Sequence, residues 1–190
     1  VGFVDAEYMA CRVGLEKWHD AHLYHMSKQP FSFDVLPILS HTIAARSKGM
    51  MAMGRKVLVL DLDNTLWGGV IGDDGLEGIV LGSETAEGEA FSNFQKYIKG
   101  LADRGVILAV CSKNNTDIAM QVFHRHSGMV LGESDIAHFE VNFEDKVTNI
   151  RRISKALNVG LDTLVFVDDN PVERAWVGGQ LKEVLIVDLP

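Results

Sequence analysis

Residues 56–69 read KVLVLDLDNTLWGG. The opening run KVLVLD is apolar without a polar alternate, too short for a helix, and built from residues that favour strands. That is the signature of a strand buried on both faces, as in a parallel sheet. Outward from it the same kind of run recurs at 106–111 (VILAVC), 138–142 (HFEVN), 163–168 (TLVFVD) and 184–187 (VLIV). Amphipathic stretches lie between these runs: 86–103 carries an apolar stripe of Ala90, Phe91, Phe94, Tyr97, Ile98 and Leu101, and 116–125, 146–157 and 171–178 follow. Asn115 or Thr116 is placed to cap the second of these helices, and Pro171 suits the first turn of the last. Strand and helix in alternation predict an α/β fold: a Rossmann-like, doubly wound parallel sheet of about five strands with helices on both faces.

The 190 residues are 47% apolar, enough for a core, and the formal net charge is −8. An acidic surface argues against nucleic acid and against anionic membranes as partners. There is no apolar run of membrane-spanning length and no secretory leader pattern. Cys11 and Cys111 stand far apart and suggest no disulfide framework, so a reducing, cytoplasmic setting is expected. Residues 1–53 contribute no strand and read as a helical N-terminal extension and linker, including a helix from about Val35 to Ser47 and a connector at Gly49–Gly54. Residues 54–190 read as the catalytic domain. A start at Val1 and an end at Pro190, just after a strand, read as a piece of a longer polypeptide.

The chemistry gathers where the strands end, because side chains at the carboxyl edge of such a sheet enter the crevice where these folds bind ligands. Strand alternation aims Asp61 and Asp63 at one site, where two carboxylates call for a hard cation such as Mg²⁺. The second strand delivers Ser112, Lys113 and Asn114 beside a helix start that favours phosphate. Lys146 opens the helix after the third strand, and the fourth delivers Asp168, Asp169 and Asn170.

In this order the segments DLDNT, VCSKN, the Lys146 of FEDKVTNI, and VFVDDNP resemble the four motifs of the haloacid dehalogenase superfamily of phosphohydrolases and phosphotransferases, over about residues 55–190. The longer stretches DLDNTLWGGVIGDDGLEGI, GVILAVCSKNN, NFEDKVTNI and VFVDDNPVERA resemble the FkbH-like subfamily, which makes glyceryl-acyl-carrier-protein units for polyketide assembly. The resemblance implies Asp61 as nucleophile, Asp63 as general acid and base with its backbone carbonyl on the metal, and Ser112 and Lys146 gripping the phosphoryl oxygens. It implies Mg²⁺ held by Asp61, Asp63 and Asp169 with Asp168 behind, an assignment of the last two that could be reversed. Substrate and partner would be 1,3-bisphosphoglycerate and the phosphopantetheine arm of an acyl carrier protein. Residues 1–50 resemble the tail of the SGNH-hydrolase-like region that precedes such domains. A generic capless phosphatase and a non-catalytic carrier-docking module are the alternatives.

The interval from Asp63 to Ser112 leaves no room for a large cap. The glycine-rich 67–75 segment is expected to be a flap or hairpin, with Trp67 as a lid. Asn64 and Thr65 shape the turn after the nucleophile, and Asn64, Thr65, Trp67, Lys113, Asn114 and Asn170 are candidate substrate contacts. Cys111, beside Ser112, is either an acyl carrier at the mouth, activated by Lys113, or a small core residue. His19, His22 and His25, at spacings of three, read as solvated or packing residues. So do His124, His126 and His138, while Cys11 and Trp176 read as packing and Arg151 with Arg152 as ordinary surface charge.

Overall fold

The computed structural model describes residues 4–50 and 54–189. It divides into two compact units, Val1–Gly54 and Arg55–Pro190. The first is helical: α1 (Ala6–Val13), α2 (Leu15–Trp18), α3 (Ala21–Ser27), a 3₁₀ turn at Phe33–Val35 and α4 (Leu36–Met50). Asp5 and Asp20 cap α1 and α3 through their side chains, and Trp18 meets Phe31 edge to face at 5.2 Å. Helix α4 extends past the expected end at Ser47, and Met51–Met53 of the expected connector lie outside the described residues. Cys11, expected to pack, is exposed. Among the described residues no helix is long and apolar enough to cross a membrane.

The second unit carries β1 (Val57–Leu60), α5 (Ile71–Gly78), α6 (Ala86–Ala102), β2 (Ile107–Ser112), α7 (Thr116–Arg125), β3 (Ile136–Val141), α8 (Lys146–Ala156), β4 (Leu164–Val167), α9 (Pro171–Gln180) and β5 (Leu185–Val187). The strands form one parallel sheet in the order β3-β2-β1-β4-β5. Winding reverses beside β1, so the crevice of such a fold opens between the ends of β1, β2 and β4. Strand alternation divides the core into two layers. Leu58, Leu60, Leu108 and Val110 pack with Ile98 of α6 and Val122 of α7. Val57, Val59, Ala109, Cys111 and Phe166 pack with Ile150 and Ile153 of α8 and Val177 of α9.

Each helix that opens at the crevice is capped by a residue the chain supplies there. The side chains of Asn115, Asp145 and Asn170 accept from Ile118, Thr148 and Val172 backbone N–H groups at the starts of α7, α8 and α9. These caps lie just beyond Ser112 and Asp168 at the ends of β2 and β4, and just before Lys146 at the start of α8.

The expected flap is not a hairpin. Gly68 and Val80 exchange both backbone hydrogen bonds, at 2.9 and 2.8 Å, and close a loop around the short helix α5. That helix kinks at Gly75, whose φ of 68° suits glycine. Trp67 is fully buried and meets Phe123 edge to face at 6.1 Å, so it is core and not a lid. A large aromatic following Leu66 gains more by filling the layer under α7 than by facing water. Trp176, expected in the core, is 51% exposed, because α9 buries Val177 instead.

Gln95, on α6 and fully buried, ties the loops around this layer together. Its amide donates to the Leu66 carbonyl at 2.8 Å, and its carbonyl accepts from Val130 and Leu131 N–H at 2.9 and 3.1 Å. Gln95→Leu leaves these backbone groups unpaired, and the expected loss is about 3 kcal/mol of unfolding free energy by urea denaturation.

Candidate active site

Asp61 is the first residue beyond β1, and its N–H donates to the Val167 carbonyl at the end of β4, at 3.0 Å. This bond aligns the two strand ends that carry acids. Lys146 Nζ lies between them, 3.0 Å from Asp61 Oδ1 and 2.5 Å from Asp168 Oδ2. All three side chains are buried. Burial raises the Asp61 carboxyl to about 6, with Lys146 pulling it down, Asp168 pushing it up and the Ser112 hydroxyl acting in the direction of Lys146. Burial also disfavours the Lys146 ammonium, but Asp61 and Asp168 together outweigh it and hold the group above its ordinary value.

The Asp61 Oδ1 atom is buried and, among the described residues, accepts no hydrogen bond. Lys146 supplies it with charge from 3.0 Å. Oxygens of Asp61, Asp168 and Asp169 lie within 4.8 Å of one another, and among the described residues this is the one acidic, histidine or cysteine group so arranged. Burial, and then Asp168, raise the Asp169 carboxyl as well. Three carboxylates with one unsatisfied buried oxygen fit a hard cation with oxygen ligands.

A cleft of about 190 Å³ opens above this cluster, lined by Asp61, Asp63, Asn64, Ser112, Lys113, Lys146, Asp169 and Asn170 of the predicted set, together with Glu173. The other predicted residues stand behind it or elsewhere. Asp168 is fully buried and takes a 2.8 Å hydrogen bond from Asn170 N–H besides the contact with Lys146. Thr65, also buried, accepts from Asp169 N–H at 3.2 Å. Asn114 is buried and donates to Asp63 Oδ2 at 2.8 Å. Trp67 Nε1 and Ile71 N–H donate to Asp63 Oδ1 at 2.9 and 3.1 Å, so Trp67 and Asn114 orient Asp63 where substrate contact was expected. Asn64 adopts φ 52° and accepts from Gly69 N–H at 2.8 Å, shaping the turn after the acid pair.

Cys111 corrects the acyl-carrier expectation. Its side chain shares the face of Ala109, is fully buried under α8, and sits 3.9 Å from the Lys146 carbonyl. Burial pushes its thiol far up, and Lys113 pairs with Glu173 instead. Arg174 was not singled out for the site: its guanidinium donates to the Asp168 and Asp169 carbonyls at 2.7 and 2.6 Å. Its place just beyond Asp168-Asp169, one turn into the capped helix α9, is the signal that marked it. His138 pairs with Glu140 at 3.0 Å and His124 with Glu133 at 2.7 Å, away from the cleft.

Two outcomes follow from these burials. A thiol-reactive dye should label Cys11 rapidly in the native protein and Cys111 only after denaturation, read as one fast thiol and one protected thiol. In metal-free protein, Lys146→Met should lower stability by about 3 kcal/mol near pH 7.5, because two buried carboxylates lose their partner. Carboxyls whose folded value is raised are protonated more readily in the folded than in the unfolded state, so stability should return as pH falls toward 5. Urea melts at the two pH values check this.

No family model matches the chain, and no curated protein matches it. Solved structures do. The N-terminal part of the protein BF1531 from Bacteroides fragilis, containing a phosphatase domain complexed with Mg, is 43% identical with a TM-score of 0.86, and the match covers 96% of this chain and 49% of that one. The chain thus spans about half the length of that structure. Weaker matches are the HAD family enzyme bt-2542 from Bacteroides thetaiotaomicron, in complex with magnesium and inorganic phosphate (12% identity, 72% of this chain and 95% of that one, TM-score 0.48), and a HAD-superfamily hydrolase of subfamily IA from Geobacter sulfurreducens (14%, 72% and 92%, 0.44). With its five parallel strands in this order, its flanking helices and its likeness to the Bacteroides fragilis phosphatase domain, the chain has the α/β fold of the haloacid dehalogenase superfamily.

Proposed function

We propose that residues 55–190 form a Mg²⁺-dependent phosphatase with Asp61 as nucleophile, serving the conversion of 1,3-bisphosphoglycerate into a glyceryl unit on an acyl carrier protein. The observation that carries this reading is the Asp61, Asp168 and Asp169 cluster, with Asp61 Oδ1 buried and accepting no hydrogen bond among the described residues, beside a cleft that Asp61, Asp63, Asp169, Ser112 and Lys146 line. The 43% identical phosphatase domain complexed with Mg supports the phosphatase and the ion. The FkbH-like motifs support the glyceryl substrate and the carrier.

Asp61 and Asp169 would hold the ion, with the Asp63 carbonyl. Asp168, engaged by Lys146 and by Asn170 N–H, stays behind them. When bound, Mg²⁺ neutralises charge on the phosphoryl group in flight and brings it to the nucleophile. The Asp61 carboxylate attacks phosphorus, the bond from phosphorus to the substrate oxygen breaks, and Asp63 gives that oxygen a proton. Asp63 then takes a proton from the water that cleaves the aspartyl phosphate, releasing phosphate and restoring Asp61. Ser112 and Lys146 hold the equatorial oxygens, where charge spreads in the transition state.

The phosphate removed in this way is the monoester. Attack on the mixed anhydride would discard the activation that a thioester requires. The acyl phosphate is left to the thiol of the phosphopantetheine arm: the carbon–sulfur bond forms, the carbon–oxygen bond breaks and phosphate departs. Cys111, buried in the core, takes no part in that transfer.

Intact-protein mass spectrometry of a phosphopantetheinylated carrier, incubated with the protein, Mg²⁺ and 1,3-bisphosphoglycerate, tests the reading. A glyceryl adduct is expected, and Asp61→Asn should leave a phosphoglyceryl adduct, heavier by one phosphate, or none, while Cys111→Ala behaves as wild type. Asp61-dependent phosphate release without any adduct would reduce the reading to a generic phosphatase. Carrier binding with no phosphate release would make the domain a docking module.

A further inference from the structure

The cleft holds two ammonium groups with different fates. Lys146 is buried at the floor, held between Asp61 and Asp168 where the transferred phosphoryl group would sit. Lys113 follows Ser112, one position beyond the residue at the end of β2, and its side chain is 41% exposed at the rim. Across the rim, one turn into α9, Glu173 holds it at 2.5 Å, a contact that spans sixty positions of sequence. The Glu173 side chain is only 16% exposed, and among the described residues Lys113 is its one hydrogen-bonding or ionic partner. A carboxylate that lines a cleft and is satisfied by a single exposed lysine is a removable counter-ion. Every other acidic group lining this cleft belongs to the nucleophile, the proton carrier or the cation cluster.

Resting on the phosphatase reading, we propose that the Lys113–Glu173 pair is a specificity device that receives a second anionic group at the far end of a phosphate monoester. A carboxylate or phosphate on the substrate takes the place of Glu173 on the Lys113 ammonium, exchanging one charge-assisted hydrogen bond for another. A neutral hydroxyl cannot make that exchange, because it brings the Lys113 ammonium no negative charge to replace the one that Glu173 withdraws. Lys113 is thus the binding residue, and Glu173 a positioning residue that acts through it. The substrate class is a short phosphate monoester with a second anion.

The test compares phosphate release from 3-phosphoglycerate and glycerol 3-phosphate, which share the phosphate monoester and differ in a carboxylate against a hydroxymethyl group. The Mg²⁺-loaded protein is expected to prefer the glycerate, and Lys113→Met to lower the kcat/KM ratio of the two substrates about tenfold through the KM of the glycerate. Glu173→Gln should raise that ratio several-fold, and the double variant should return the ratio of Lys113→Met alone, because Glu173 acts only through the lysine. Equal losses on both substrates in Lys113→Met, a change in kcat alone, or additive effects in the double variant would overturn the inference and leave the phosphatase standing. Phosphate release from neither substrate by the wild-type protein would overturn the phosphatase reading, and this inference with it.

Discussion

The ammonium of Lys146, wedged between Asp61 and Asp168, is the contact on which the rest of the site depends. It joins the end of β1, the end of β4 and the start of α8, three elements from distant parts of the chain. Two carboxylates at that depth repel one another, and burial disfavours the charged form of Asp61. One fixed cation makes their approach tolerable without neutralising both. The residual negative charge of the three carboxylates leaves room for a second cation, so the structural ion pair and the proposed chemistry draw on the same excess of acid.

Around this centre, rigid scaffolding is built from hydrogen bonds to the backbone. Asn170 N–H donates to the Asp168 carboxylate, Arg174 donates to the Asp168 and Asp169 carbonyls, and the Thr65 hydroxyl accepts from Asp169 N–H. Asp63 accepts from three donors, Trp67, Ile71 N–H and Asn114. The side chains expected to meet substrate at Thr65, Trp67 and Asn114 are buried supports instead, and the freedom to respond to a ligand is left to the exposed rim. An open crevice with a single charged pair at its edge differs from a site closed by a separate cap, and selectivity then rests on few groups.

The strands were legible because each is short, continuous and apolar, and the helices because their stripes and caps agree. Asn115, Asp145 and Asn170 sit where the capping preference puts them. The strand-end acids, Ser112 and Lys146 were legible for a related reason: parallel topology sends every strand's carboxyl end to one edge. Legibility failed where direction of a side chain mattered. Cys111 was placed at the mouth by its neighbour Ser112, although its parity with Ala109 puts it on the α8 face. Trp67 sat in a glycine-rich segment that suggests a mobile flap, and its burial depends on space under α7 and on an indole partner in Asp63.

The sequence by itself determined the order of elements, the two-faced parallel sheet and the set of groups at its carboxyl edge, because these follow from local patterning and from the geometry of strand alternation. Only the tertiary structure decided which carboxylate is spent on Lys146 and which faces the cleft, that Glu173 holds Lys113, and that Cys111 is out of reach. Those outcomes depend on burial and on contacts between residues far apart in sequence, such as Lys146 with Asp61 and Lys113 with Glu173, whose energies are set by the surrounding dielectric and packing and leave no local trace.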